Sequence, residues 1–397
     1  MTLQQPFFRF KPAIVLIACL ILAACASDKK LSPQKAETET ALPQPQLQTP
    51  PEPPQAPAQP QPQFQPQTQP QPQSGSYATR PDVMAFADEL ASRRKLDPQW
   101  VRQAMGQSSF NPTVSRLMQP PTKTFVKNWR VYRSRFIDPI RIRAGVNFWQ
   151  ANRSTLARAE AEYGVPADII VGIIGVETIY GRDTGSFRVM DALMTLAFDF
   201  PSKHPRAQER STYFRGEVEQ FLSLQNQRQA NPMDAKGSYA GAMGMPQFMP
   251  SSWAKHAVDF DGDGNIDLWN SPADVIGSVA NYFKAYGWQS GMPTHYPVSF
   301  DTSRLDMDAL MAPDILPTFG VASFTSKGAM LKGQALEHQG PLALVELLNG
   351  PDAASYVAGT ENFYVITRYN WSSYYAMAVI ELGREVAARL QPQRPRP

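Results

Sequence analysis

The chain has 397 residues, 38 of them basic and 35 acidic, which leaves a formal net charge of +3. An excess that small gives no argument for a polyanion such as nucleic acid as the dominant partner. A run of Pro and Gln early in the chain leaves room for one large domain, or two to three intimately packed ones, rather than two independent units.

Residues 1–25 read as a signal peptide. Arg9 and Lys11 supply the positive start and residues 12–24 an apolar run, shorter than the ~20 residues needed to span a bilayer. The segment ends Leu22, Ala23, Ala24, Cys25, Ala26, which resembles the lipobox of bacterial lipoproteins, where the cysteine is acylated. Ordinary cleavage at a small-x-small site is the alternative. Of the two cysteines, Cys19 would leave with the signal and Cys25 would carry lipid. The fold must then be stabilised by its core or a metal, without a disulfide. Ala26, not Asp, follows the cysteine, so the resemblance implies an outer-membrane lipoprotein facing the periplasm.

Residues 26–79 form a Pro/Gln-rich linker with too little apolar surface to offset its ordering entropy. Polyproline II spacing could hold the folded part off the membrane, or the segment could be a neutral tether. Residues 80–150 are expected to form an N-terminal helical domain. Val83, Phe86, Ala87 and Leu90 fall at helical spacing over residues 81–95. Over residues 125–148, Trp129, Tyr132 and Phe136 share a helix face, with Lys127, Arg130, Arg133, Arg135, Arg141 and Arg143 around them. An amphipathic helix with solvated basic residues is the favoured reading over a nucleic-acid patch. Further helices are expected over residues 153–163, stopped by Gly164, from Pro166 onward, and over 217–228, 271–286 and 374–390. Residues 291–350 carry Pro, Gly and short apolar runs and read as a small mixed, strand-containing insert.

Residues 169–176 are apolar all round, which a helix tolerates only when buried on every side. Glu177 follows directly. A carboxylate there is costly unless paired or protonated. Desolvation raises its pKa, the requirement for a general acid acting on a poor leaving group. A salt bridge to Arg182 or emergence into solvent is the bland alternative.

Three segments then carry a resemblance: GVETIYG (residues 175–181), GSYAGAMGMPQFMPSS (237–252), and ITRYN with YYAMAV (366–370 and 374–379). Together they resemble the membrane-bound lytic transglycosylase B family, relatives of goose-type lysozyme, in the right order from about residue 125 to the C-terminus. The resemblance implies a mainly α fold: a lysozyme-like α+β core over residues 151–290, completed by residues 351–397. It also implies cleavage between N-acetylmuramic acid and N-acetylglucosamine, with Glu177 first as acid and then as base while the muramoyl 6-hydroxyl attacks. The product would be 1,6-anhydromuramic acid. Ordinary glycosidases need a second carboxylate; Asp183 and Asp191 lie near in sequence, with a loop or cap role as the alternative. Carried over, Ser238 should orient Glu177 and Gln247 should contact an N-acetyl group. Phe248, Tyr282 and Tyr375 should line the groove, with Tyr369 beside the carboxyl and Tyr132 approaching from the N-terminal helices. Core packing is the alternative for each aromatic. The family's paired arginines are rearranged here: Arg210 matches the second, Glu209 stands in the first one's place, and Arg206 could reach in. Partners would be peptidoglycan glycan strands, the membrane through the N-terminal lipid, and cell-wall synthases, with a monomeric chain and no nucleic acid.

Asp259, Asp261 and Asp263 stand at positions 1, 3 and 5 of an EF-hand-like loop, with Gly264 at 6 and the Asn265 carbonyl at 7. Asn270 replaces the usual bidentate Glu at position 12. Asp274 could supply that carboxylate from a longer loop, or could belong to the cap of the next helix, which Ser271 begins. The expectation is a structural Ca²⁺ and no organic cofactor. Two readings compete with the transglycosylase: a hydrolytic muramidase, and a non-catalytic peptidoglycan-binding lipoprotein.

Overall fold

The computed structural model describes residues 77–120 and 126–390. The signal segment, Cys25 and nearly all of the linker lie outside them. The folded part begins three residues earlier than the sequence suggests. Tyr77 is buried, and its hydroxyl donates to Asp199 Oδ2 at 2.7 Å. Arg80 pairs with the other oxygen of the same carboxylate at 2.7 Å, so Asp199 anchors the start of the chain.

The first helix, Pro81–Arg94, buries Val83, Ala87, Leu90 and Ala91, and Lys95 ends it in the left-handed region with φ 55. Asp97 and Asn111 then cap Pro98–Gly106 and Pro112–Leu117, each with Pro in the first turn. The aromatic and basic stretch is two helices, Trp129–Ser134 and Pro139–Ala151, not one. Asp138 accepts from the amides of Ile140 and Arg141 at 2.8 and 3.0 Å, and Pro139 cannot continue a helix backward. Trp129, Tyr132 and Phe136 still meet, with ring centroids 6.2 and 5.0 Å apart.

Ala167–Thr178 buries every residue except Asp168, as an all-apolar helix must. It crosses the C-terminal helix, Ser373–Leu390, at backbone contact. A Cβ on Gly172 would lie 2.3 Å from the Val379 carbonyl oxygen, and one on Gly383 would lie 2.0 Å from that of Asp168. Val189–Phe198, also almost wholly buried, packs beside Ala207–Gln227.

The insert forms its own small core around Tyr296, Leu310, Phe324 and Leu342. Ala343–Asn349 and Asp352–Gly359 form a hairpin, and His295–Pro297 adds a third antiparallel strand beside the latter. The sheet therefore continues past residue 350. The insert ties back to the helices through Gly350, whose amide donates to Lys127 O at 3.1 Å, and through the Tyr374 hydroxyl, which donates to Leu348 O at 3.1 Å. Among the described residues no helix is long and apolar enough to cross a membrane.

Candidate active site

Glu177 sits in the last turn of its buried helix and is 8% exposed. The Tyr375 hydroxyl, from the C-terminal helix, donates to its Oε1 at 2.5 Å. The helix stops immediately afterward. Ile179 and Tyr180 both take left-handed φ values, 53 and 59, a conformation that a β-branched residue rarely adopts. The turn persists because it is held from several sides. The Ile179 and Tyr180 amides return to Gly175 O and Ile174 O, and the Tyr180 ring stacks on Phe148 with centroids 5.1 Å apart.

Thr178 links this helix to the second motif. Its hydroxyl donates to Met245 O at 2.8 Å and accepts from the Gly181 amide at 3.0 Å. The motif folds into a tight loop in which Met243 and Phe248 exchange both backbone hydrogen bonds. Ser238 Oγ accepts from the amides of Ala242 and Ala240 at 3.0 and 3.3 Å. With these two bonds the hydroxyl's acceptor side shapes its own loop. Gln247, with φ 52, donates its side-chain amide to Thr184 O and Gly244 O at 3.1 and 3.0 Å. Its side-chain carbonyl is the group left for a ligand N–H.

The aromatic residues are layered, and their roles differ from expectation. Tyr375 is 2% exposed; it holds the carboxyl rather than lining a groove. Tyr369 is half-buried, stacks on Tyr375 (6.4 Å, 16°) and donates its hydroxyl to Pro246 O at 2.5 Å. Phe248 and Tyr282 are buried and pack against Tyr369 from below, at 5.8 and 4.8 Å. Burial of this degree fits the core-packing alternative for both. Tyr282 donates to Arg368 O at 2.7 Å, and burial pushes its hydroxyl pKa well up. Tyr132 lies against Tyr374 (5.6 Å), one residue from Tyr375.

In the arginine segment the structure bears on one alternative. Arg206 pairs with Glu209 on the surface, so it does not reach inward. Arg210 is half-buried, and desolvation followed by repulsion from Arg206 lowers its pKa. Asp183 is exposed, and Asp191 accepts from the Ser109 amide at 3.0 Å, a tie to the N-terminal helices.

Two functional candidates escaped sequence reasoning. Glu217 is a second buried glutamate, but the Ser251 hydroxyl and amide occupy its two oxygens at 2.6 and 2.9 Å. It caps the Pro250–His256 helix, and the only sequence signal was a Pro-led helix start lacking its own cap. Arg141, expected to be solvated, is 3% exposed. Its Nε donates to Gly175 O at 2.8 Å, and its Nη1 to Arg135 O and Asp138 Oδ2 at 2.8 and 2.7 Å. Its positive charge therefore sits at the carbonyl end of the helix that carries Glu177, where the helix dipole favours it.

Asp259, Asp261 and Asp263 each offer a carboxylate oxygen within 4.8 Å of the others, on an exposed loop. The Gly264 and Gly262 amides donate to Asp259 at 2.8 and 2.7 Å, and these bonds, Gly264's foremost, lower its pKa. Asn265 donates its amide to Asp263 Oδ1 at 2.8 Å. Asp274 stands outside this cluster. It is buried, and its two oxygens accept from the amides of Phe260 and Asp267 at 2.7 and 2.8 Å. It clamps the two ends of the loop, while Ser271 caps its helix through the Asp274 amide at 3.2 Å.

A buried glutamate closing an all-apolar helix, beside a bed of tyrosines, is the arrangement of the lysozyme-like class of glycan-cleaving folds. The sequence matches the Transglycosylase SLT domain over residues 78–384. It is 38% identical over 402 residues to membrane-bound lytic murein transglycosylase B of Escherichia coli K12, spanning 97% of this chain and all of that one. Among solved structures, the E. coli lytic transglycosylase Slt35 in complex with calcium is 40% identical, with TM-score 0.68, over 81% of this chain and 97% of that one. Pseudomonas aeruginosa SltB3 in complex with NAG-NAM-pentapeptide is 27% identical, with TM-score 0.65, over 77% of this chain and 79% of that one. The chain belongs to the lytic transglycosylase family.

Proposed function

We propose that this protein cleaves peptidoglycan glycan strands at the β-1,4 bond between N-acetylmuramic acid and N-acetylglucosamine, with Glu177 carrying both proton transfers. Glu177 gives its proton to the glycosidic oxygen as the bond from that oxygen to the muramoyl C1 breaks. The muramoyl 6-hydroxyl then bonds to C1 and returns its proton to the same carboxylate. No water is consumed, and the 1,6-anhydro ring closes. The observation that carries the reading is the Tyr375 hydroxyl on Glu177 Oε1 at 2.5 Å. It holds the carboxyl at a fixed place in a buried site, as a group that must act first as acid and then as base requires. Asp191 is held by the Ser109 amide and Arg188, and Asp183 is exposed, which supports a mechanism without a second carboxylate. The Gln247 carbonyl would accept from a substrate N-acetyl N–H, and Arg210 and Tyr132 would flank the strand.

Full-length protein incubated with purified sacculi should release muropeptides ending in anhydromuramic acid, one water lighter by mass spectrometry than the hydrolytic product. Reducing-end muramic acid would instead make the protein a muramidase. The E. coli relative is a membrane-bound transglycosylase, which supports an anchored protein, and acylated Cys25 at the outer membrane, facing the periplasm, is the anchor we assign.

The acidic loop suits Ca²⁺: its donors are hard oxygens, and three of them converge. The ion would be structural, with Asp259, Asp261, Asp263 and the Asn265 carbonyl as ligands. Its influence would reach the catalytic helix by two bonds. The Met245 amide donates to Leu268 O at 2.8 Å, just past the loop, and Met245 O receives the Thr178 hydroxyl at 2.8 Å. Chelated protein returned to excess Ca²⁺ should gain roughly 5–10 °C in Tm by calorimetry, the stabilisation expected near a hundredfold excess over Kd. Asp259→Asn should abolish the gain. Equal Tm values with chelator and with Ca²⁺ would exclude the site.

A further inference from the structure

Arg368 follows the Glu361–Thr367 helix and is exposed. Its guanidinium lies 5.5 Å from the ring centroid of Tyr286 and 5.8 Å from those of Tyr364 and Trp371. It donates to the Tyr364 hydroxyl at 3.3 Å, and among the described residues no carboxylate pairs with it. Tyr286 and Trp371 remain 38% and 40% exposed. Solvated packing of an arginine on aromatic rings is common. Here, however, Tyr286 comes from a distant segment to join Tyr364 and Trp371, two of the rings stay more than a third exposed, and among the described residues the charge beside them has no counterion.

The cluster is continuous with the catalytic site. The Tyr286 ring packs on Tyr282 at 4.5 Å, tilted by 37°, the Tyr282 hydroxyl donates to the Arg368 carbonyl, and the next residue is Tyr369. With one N–H on the Tyr364 hydroxyl, the exposed guanidinium keeps further donors, and a guanidinium can take a carboxylate in a fork. In peptidoglycan the glycan backbone is neutral where each lactyl carboxyl is amide-linked to a peptide, so the carboxylates lie on the stem peptides. We propose that Arg368 binds a stem-peptide carboxylate of the strand held in the groove, while Trp371 and Tyr286 cover that peptide's aliphatic stretch. This assignment rests on the reading of the Glu177 site as a glycan groove.

The test uses full-length protein and two substrates: solubilised peptide-bearing glycan strands, and the same strands with their carboxylates converted beforehand to methylamides. On native strands, Arg368→Gln should raise KM about tenfold with kcat little changed, the loss of one charge-assisted hydrogen bond. Arg368→Lys, which keeps the charge but not the fork, should fall between. On amidated strands the three proteins should converge, with wild type showing the same tenfold rise. Equal KM for Arg368→Gln and wild type on native strands would overturn the assignment, as would an equal penalty on both substrates. If wild type forms anhydro product from neither strand, the groove reading itself fails. If it cleaves both and the variants follow it, only the peptide assignment is lost.

Discussion

Glu177→Gln yields a protein that still binds sacculi but releases muropeptides at least ~10³-fold more slowly, because general acid and general base catalysis are lost together. Gln preserves the shape, and its carbonyl can still accept the Tyr375 hydroxyl. The helix, the loop and the groove therefore stay in place, and the loss is chemical. Tyr375→Phe in the same assay separates chemistry from placement. It removes the donor at 2.5 Å while leaving the carboxyl and the ring stack on Tyr369. Its turnover should drop roughly tenfold, in proportion to one charge-assisted hydrogen bond, with sacculus binding retained. Release of muropeptides and sedimentation with sacculi measure the two properties side by side. If Glu177→Gln kept activity near wild type, the acid would lie elsewhere. Glu217, the other buried glutamate, would be a poor replacement, since Ser251 holds both its oxygens.

The contrast between those two glutamates shows what the sequence could carry. Glu177 was legible because eight apolar residues precede it, a pattern that allows no exposed face. Glu217 sits in a helix with many polar neighbours, and its burial follows from the distant Pro250 helix packing over it. The aromatic residues were legible as a set but not as layers. Tyr369 and Tyr375 are close in the chain, yet one is half-buried over the other. Which ring faces sugar depends on how the C-terminal helix crosses the Glu177 helix, a long-range fact. Arg141 misled for a local reason. Its basic neighbours suggested a solvated face, but Asp138 and Pro139 restart the helix and turn that one guanidinium inward to Gly175 O. Asp274 was open between ligand and cap, and it became a clamp because the loop's two ends present amides to it.

The crossing that settles the layering is also where a single methyl group should do the most structural harm. In Gly172→Ala the new Cβ would lie 2.3 Å from the Val379 carbonyl oxygen, well inside contact distance. That oxygen belongs to the backbone of the Ser373–Leu390 helix, so no side-chain rotation relieves the clash and the two helices must part. Overpacking of this kind costs about 1–3 kcal/mol, at times more, or roughly 2–10 °C in Tm for a chain of this size. Gly216→Ala is the matched control. Gly216 lies within Ala207–Gln227 with nothing inside 4 Å of its Cβ position, so the same substitution should raise Tm slightly, as Ala favours the helix by up to ~1 kcal/mol. The opposite signs would exclude a generic effect of replacing helical glycine. Activity should follow the crossing as well. Val379 and Tyr375 are one helical turn apart and face the same partner. A displacement that frees Val379 O therefore also draws the Tyr375 hydroxyl from Glu177. Well below its melting point, Gly172→Ala should consequently lose turnover to about the level of Tyr375→Phe, whereas Gly216→Ala keeps it. A stable Gly172→Ala protein with full turnover would mean that the two helices are not in backbone contact, and the placement of Tyr375 on the catalytic carboxyl would fall with that contact.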